Sequence, residues 1–305
     1  MQKKQVWAKV DGVLLLDKAE GLTSNSALQK ARRLFNAARA GHTGTLDPLA
    51  TGLLPVCFGE ATKFSADLLE ADKSYEAEVH LGVTTRTGDR EGQTTATAPV
   101  TCARADIEAA LPRFTGDLLQ VPPMYSALKK DGRALYTLAR QGREVERAPR
   151  PVTIHALELL AWQTPVFTLR VRCSKGTYIR VLAEDLGKTL GCGAHLSALR
   201  RTRVGALDLD NAHTLAELEA LAASADQGAL SACLLPPDSL LSSLPALHLT
   251  DAAALRFTNG NPVSAPPDIQ GEARVYGQAG LLGVGMVKAD GLLWPKRIRV
   301  QRTED

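Results

Sequence analysis

The stretch Gly41-His-Thr-Gly-Thr-Leu-Asp47-Pro-Leu-Ala-Thr-Gly52 restricts the fold more than any other. Its three glycines and Pro48 interrupt it at intervals too short for a helix or a central strand, so the segment from Ala40 to Gly52 is expected to be an ordered loop. What flanks the loop is apolar. Gly12-Val-Leu-Leu-Leu-Asp17, bounded by turn residues, predicts a buried strand. Thr23, Ser24 and Asn25 then offer N-caps to a helix whose Ala27, Leu28, Ala31 and Leu34 recur at helical spacing. After the loop come a strand, Leu53 to Phe58, and a helix, Ala61 to Leu69. A glycine-rich loop fixed between buried elements can bring its backbone close to a ligand.

Further on, Ser74 to Leu81 alternates as a strand, a loose loop spans Thr84 to Ala98, and Ala103 to Phe114 reads as an amphipathic helix. Residues 124–150 look like an arm, with a short helical stripe (Leu135, Leu138, Ala139) between Gly132 and Gly142. Strands are expected at about 151–161 and 166–173. The strongest helix runs from Tyr178 to Leu190, with Ile179, Leu182, Ala183, Leu186 and Leu190 on one face. Another covers Leu215 to Ala223. Pro236, Pro237 and Pro245 mark a boundary, after which short β-like runs (Ala273 to Tyr276, Leu281 to Val287, Leu292 to Trp294, Ile298 to Gln301) suggest a small β module. A length of 305 residues accommodates two domains.

The net charge of +3 says little, but its distribution says more. Residues 170–203 carry eight Lys/Arg against two acids, and the arm carries seven against three. Between 204 and 272 nine acids face the single Arg256, and 273–302 returns to six bases against one acid. Each segment alone is compatible with a solvated face; three basic segments separated by an acidic one suit a polyanion binder. Five cysteines with no close pair argue against a disulfide framework or a zinc knuckle. No apolar run approaches the roughly 20 residues of a bilayer span. The start reaches Asp11 and Asp17 before any long apolar run, so no secretory signal and a cytoplasmic location are expected. Gly187-Lys188-Thr189 lacks the earlier glycine of a phosphate loop, and the six histidines are dispersed. Catalysis without metal or cofactor is the expectation.

Two segments carry candidate chemistry. A loop Asp before Pro, such as Asp47, commonly caps a turn; held with His42 by three glycines, it can instead face a ligand. In Ser174-Lys-Gly-Thr-Tyr-Ile-Arg180, Thr177 or Ser174 serves as a cap. Arg180 sits in the first helical turn, against the usual charge preference there, which points to a specific anion.

The segment from Gly41 to Gly52 closely resembles the catalytic motif of the bacterial tRNA pseudouridine-55 synthases, the TruB type. Leu16-Asp17-Lys18 with Gly21 and Ser24 resembles that family's opening motif, Lys73-Ser74-Tyr75 its tyrosine motif, and Pro122-Pro-Met-Tyr-Ser-Ala-Leu-Lys129 its arm entry. Ser174 to Arg180 and Gly191-Cys-Gly-Ala-His195 through Leu199-Arg200-Arg201 continue the match in order, over nearly the first 205 residues. One departure is Ala19, where the family commonly has proline.

The resemblance implies a mixed α/β fold of the α+β type. Its catalytic domain, at about 1–245, would be built on a central, largely antiparallel sheet flanked by helices. An arm would be inserted at 124–150, and a β-barrel-like RNA-binding PUA module would occupy 246–305. It implies conversion of uridine 55 in the T-loop of tRNA to pseudouridine by base flipping, with no cofactor, no metal, no obligate protein partner, no membrane and a monomeric state. By resemblance Asp47 is the catalytic carboxylate and Arg180 its partner. Tyr75 stacks on the base and offers its hydroxyl for proton transfer, and His42 fills the space that the flipped base leaves. Tyr178 and Leu199 form pocket walls, Lys18 and Lys63 contact phosphate or loop, and Asp89 makes a polar contact. Two rivals remain at this level: an RNA-binding or tRNA-folding chaperone, and a guide-RNA-dependent relative, which the compact N-terminus disfavours.

Overall fold

A computed structural model describes residues 6–224 and 227–299. Asp226 of the acidic stretch, and Val300, Gln301 and Arg302 of the last basic run, lie outside the described residues.

β1 (Gly12–Lys18) pairs antiparallel with β3 (Thr51–Phe58), from Gly12 opposite Phe58 to Lys18 opposite Gly52. Both strands are almost wholly buried, which is why they read as continuous apolar runs. Between them lies α1 (Ser24–Leu34), where Thr23 accepts a cap bond from the Ser26 N–H at 3.0 Å. The expected loop from Ala40 begins instead with a short strand, β2 (Ala40–His42), zipped to Val56–Phe58 of β3. Gly41 does not prevent this pairing, because the bonds come from the backbone.

The helix expected from Ala61 to Leu69 is split into a 3-10 turn, Gly59–Lys63, and α2 (Ser65–Glu70). β4 (Lys73–Leu81) follows. The expected loop 84–98 contains a hairpin of β5 (Val83–Thr85) and β6 (Thr94–Thr97). β6 is fully exposed, so no alternation betrays it. After α3 (Arg104–Ala110), Pro112 enters a 3-10 turn that ends the helix, and β7 (Gly116–Gln120) forms an unanticipated edge strand. The arm holds a tiny hairpin, β8 (Lys129–Lys130) with β9 (Arg133–Ala134), and α4 (Leu135–Arg140), which buries the expected Leu135, Leu138 and Ala139.

β10 (Arg150–Gln163), β11 (Val166–Cys173) and α5 (Ile179–Thr189) fall where expected. β12 (Ala194–Val204) was not legible. It is followed by β13 (Leu207–Asp208), β14 (His213–Thr214), α6 (Leu215–Ala223), α7 (Gln227–Ala232) and β15 (Leu234–Leu235). Eleven of these strands form one sheet whose main path is β14-β1-β3-β12-β4-β11-β10-β7, with β2, β13 and β15 beside it. Only β1–β14 and β3–β12 pair parallel among its described strands, so the sheet is mixed and largely antiparallel. One cluster packs α3 and α5 against it (Ile107, Leu182, Leu186, Phe167), and another packs α1 and α6 (Leu28, Ala31, Leu218, Leu54).

The C-terminal part is a curled five-stranded sheet in the order β16-β18-β19-β20-β17. Its strands are β16 (Ala246–His248), β17 (Val263–Ser264), β18 (Gly271–Gly277), β19 (Gly280–Val287) and β20 (Leu292–Ile298), and α8 (Asp251–Thr258) packs on it. The run expected at 292–294 extends to Ile298 as the single strand β20, bent by a register shift at Val284/Gly285 of its partner, while Val300 and Gln301 of the run expected from Ile298 lie outside the described residues. This sheet does not hang free. Leu281 and Val284 complete an apolar cluster with Phe64, Leu68, Leu240 and Leu241. Arg297 pairs with Asp67 at 2.7 Å, and the Tyr276 hydroxyl donates to Asp238 at 2.7 Å.

One glycine in the loop that carries Asp47 is required by packing. Gly52 has φ +96°, and a Cβ there would lie 2.3 Å from the Arg201 carbonyl oxygen in the parallel pairing with β12. Gly52→Ala is therefore expected to cost at least about 2 kcal/mol, read as a lower urea midpoint, because strained backbone and a rigid clash add.

Candidate active site

The loop that carries Asp47 is pinned on both sides of that residue. Before it, the buried Ser24 hydroxyl accepts from the Leu46 N–H at 2.7 Å and donates to the Leu46 carbonyl at 2.9 Å. After it, the Gly21 N–H donates to the Pro48 carbonyl at 2.9 Å, and the Lys18 ammonium reaches the same oxygen at 3.4 Å while bonding the Leu22 and Ala19 carbonyls at 2.7 and 3.0 Å. At Gly44 the Arg201 guanidinium donates to the carbonyl at 3.1 Å. With its backbone so fixed, Asp47 projects a side chain that is 40% exposed.

Opposite it stands Arg180, 5% exposed, in the first turn of α5. Its guanidinium pairs with Asp47 at 3.1 Å and Asp89 at 3.5 Å, and donates to the carbonyls of Thr87 at 2.9 Å and Tyr125 at 2.6 Å. Asp89 is buried and held in turn by the Thr87 hydroxyl at 2.5 Å and the Glu91 N–H at 3.1 Å. The anion that Arg180's odd helical position called for is thus a pair of carboxylates. Burial pushes the Asp47 carboxyl above the usual range, Arg180 pulls it back, and Asp89 adds to the upward push.

Tyr75 on β4 and Leu199 on β12 are partly buried and pack against both main apolar clusters. Tyr178 precedes α5, where the Gln120 side chain accepts from its N–H at 2.9 Å and donates to its carbonyl at 3.3 Å. Burial raises the pKa of its phenol. His42 ends β2 with a buried Nδ1 that has no hydrogen-bond partner. Burial first, then the charge of Arg201, lowers its pKa, so the ring is held neutral.

Lys18 is brought to the site, but in a strut's position: its ammonium is buried against three carbonyls and pushed down to about 8 by burial, against the pull of Asp47. Lys63 is not brought there. It bonds Glu60 at 2.6 Å and the Ile298 carbonyl at 3.1 Å, at the seam with the C-terminal sheet. Ser24, Gln120 and Arg201 act on the site without having been singled out. Ser24 and Arg201 stood within the recognised motifs, and Gln120 on the unanticipated β7 gave no signal.

Three family models match the chain: "TruB family pseudouridylate synthase (N terminal domain)" over residues 32–179, "tRNA pseudouridylate synthase B C-terminal domain" over 180–242, and "Pseudouridine synthase II TruB, C-terminal" over 245–298. A protein of Dechloromonas aromatica named tRNA pseudouridine synthase B is 62% identical over 298 residues, 98% of each chain. The chain belongs to the TruB family of pseudouridylate synthases. Another member, in Pseudomonas aeruginosa, is 54% identical over 97% of this chain and 98% of its own. Among solved structures, a Cbf5-Nop10-Gar1 complex matches with a TM-score of 0.72 at 26% identity, over 95% of this chain and 84% of that one. An H/ACA ribonucleoprotein bound to a substrate RNA matches with a TM-score of 0.73 at 23% identity, over 95% and 86%, a likeness of fold. The TruB fold accounts for the mixed sheet and for the curled sheet that follows it.

Proposed function

We propose that this TruB-family chain is a tRNA pseudouridine synthase that isomerises uridine 55 of the T-loop, with Asp47 as its catalytic carboxylate. The supporting observation is the Asp47–Arg180–Asp89 constellation on a loop fixed at Gly44, Leu46 and Pro48. The reaction breaks the bond between N1 of uracil and the sugar, turns the base and joins C5 to the same carbon. Redox state is unchanged and nothing is hydrolysed, so the atoms balance without an electron carrier or ATP. A carboxylate oriented by a guanidinium is competent for covalent or proton-transfer work at that centre.

A base stacked in a folded loop must be flipped out to reach Asp47. The neutral, apolar-edged His42 suits the vacated space. Tyr75 offers its ring to the base and its hydroxyl to a proton; Tyr178 and Leu199 wall the pocket. Asp89 acts through Arg180. Lys18 supports the loop, and Lys63 joins the catalytic part, at about 1–245, to the C-terminal RNA-binding module at 246–305. The protein works as a monomer on tRNA in the cytoplasm without an obligate protein partner. Among the described residues no helix is long and apolar enough to cross a membrane.

The test is to map pseudouridine in bare tRNA transcript after incubation with the purified chain. Modification at position 55 is expected; an unmodified transcript overturns the reading, and modification only with an added guide RNA moves it to the guided class. Affinity for tRNA is expected to fall steeply with salt as phosphate contacts release counterions. A filter-binding constant flat across salt would remove the basic arm and C-terminal strands from the interface. Because Leu281 and Val284 are built into the catalytic part's apolar cluster, deleting the C-terminal module would uncover core. Lys288→Ala or Trp294→Ala, at the cation–π pair on that sheet, tests its role more cleanly.

A further inference from the structure

Arg201 lies at the middle of the site without touching Asp47. It is among the most deeply buried large side chains of the protein, 1% exposed, on β12 directly opposite Tyr75 of β4. Its Nε donates to the Leu53 carbonyl at 2.8 Å and one terminal nitrogen to the Gly44 carbonyl at 3.1 Å, while the Tyr75 phenol stands opposite in the strand register and interacts with its charge. Arg180 has Asp47 and Asp89, and the neighbouring Arg200 has Asp17 at 2.6 Å. Arg201 has two carbonyls and a phenol. A guanidinium taken out of water is costly, no carboxylate pairs with it among the described residues, and the group able to carry negative charge that acts on it is the Tyr75 phenol.

The surroundings sharpen this. Lys18, His42 and Lys73 all feel the charge of Arg201, which disfavours their protonated forms. Tyr75 itself is faced by Arg201 from β12, Cys173 from β11 and Asp47 from the loop; burial opposes its ionisation, and of these groups Arg201 alone favours it.

We infer that Arg201 is a positioning residue for Tyr75, holding the phenolic oxygen at the pocket and offsetting the charge it carries when it takes the C5 proton of the rejoined base. This rests on the proposed role of Tyr75. In that step the C5–H bond breaks and its proton passes to the phenolate; its electron pair forms the C5–C6 double bond, and the displaced C6–N1 pair takes up a proton from solvent water at N1. The phenolate arises when the phenol gives its proton to solvent water, so the C5 hydrogen ends in water. The same guanidinium, bonded to Gly44, links this proton acceptor to the loop of Asp47.

The test is a cycle of Arg201→Lys and Tyr75→Phe in the full-length protein, read as single-turnover rates on tRNA transcript. Arg201→Lys is expected to slow wild-type turnover about 10²-fold, and to change the rate of Tyr75→Phe by less than about threefold. An equal loss in both backgrounds makes Arg201 a structural strut and overturns the inference. If Tyr75→Phe turns over at the full rate, the reading of Tyr75 falls and the inference falls with it. Ionisation of Tyr75, one of five tyrosines, can be followed by NMR of ring-labelled protein and assigned by its loss in Tyr75→Phe. Its midpoint should rise in Arg201→Met, and an unmoved midpoint contradicts the inference. Should Arg201→Met fail to fold, the rate cycle with Arg201→Lys decides alone.

Discussion

Replacing Asp47 with asparagine is expected to remove tritium release from tRNA labelled at C5 of uridine by a factor on the order of 10⁴, with little loss of stability. The two outcomes have separate causes. The amide keeps the shape of the carboxylate but is a far poorer nucleophile or base. The fold tolerates it because the side chain is 40% exposed and its charged form is already disfavoured by burial. Arg180 meanwhile keeps Asp89 and the carbonyls of Thr87 and Tyr125. A melting temperature within a few degrees of wild type, together with unchanged tRNA affinity, would locate the loss in chemistry. Full retained activity would falsify the assignment of Asp47.

Arg180→Met is expected to lose both activity and stability. Removing the guanidinium leaves Asp47 and the buried Asp89 without the cation that bridges them, and breaking a buried pair in this way costs about 3–5 kcal/mol. Thermal unfolding measures that loss, and Arg180→Lys should recover part of it, since an ammonium restores charge but not the fork that spans two carboxylates and two carbonyls.

The pH dependence carries a sign that separates activity from stability. Burial and Asp89 raise Asp47 above its unfolded value, so the folded protein binds its proton more tightly and this group's contribution to stability falls as pH rises past the unfolded value. On the proposed role of Asp47, activity needs the ionised carboxylate and is expected to rise over the same window. In Arg180→Lys the weaker counter-charge should move the acid limb of the rate profile to higher pH. A limb that moves down, or stays, means that the limb belongs to another group.

The elements that follow strong local patterns could be read in advance. β1 and β3 are apolar throughout because both faces are covered, α1 and α5 carry apolar stripes, and α1 has a cap residue in Thr23. The loop between them was legible because glycine and proline punctuate it, although its first residues pair with an edge of β3 that no local signal announces. β12 was illegible for the opposite reason. Its sequence, Ala-His-Leu-Ser-Ala-Leu-Arg-Arg-Thr-Arg-Val, is rich in polar and small residues. The strand forms because β3 and β4 supply hydrogen bonds on both of its sides, and β3 offers the buried Arg201 a carbonyl partner at Leu53.

The available chemistry is written in the chain itself: a carboxylate in a glycine-punctuated loop, an arginine against the helix dipole, an aromatic strand residue, and family motifs in order. How these groups act together follows from the folded arrangement. Arg180 shares two carboxylates because α5, the Asp47 loop and the Asp89 turn converge from positions far apart in the chain. Lys18 supports the loop rather than standing free because its ammonium is surrounded by carbonyls. Arg201 bears on Tyr75 because strand register sets the two side by side. The physical reason is common to all three. A side chain's charge state and direction depend on desolvation and on partners brought in by pairing and packing over long separations, and local sequence encodes neither.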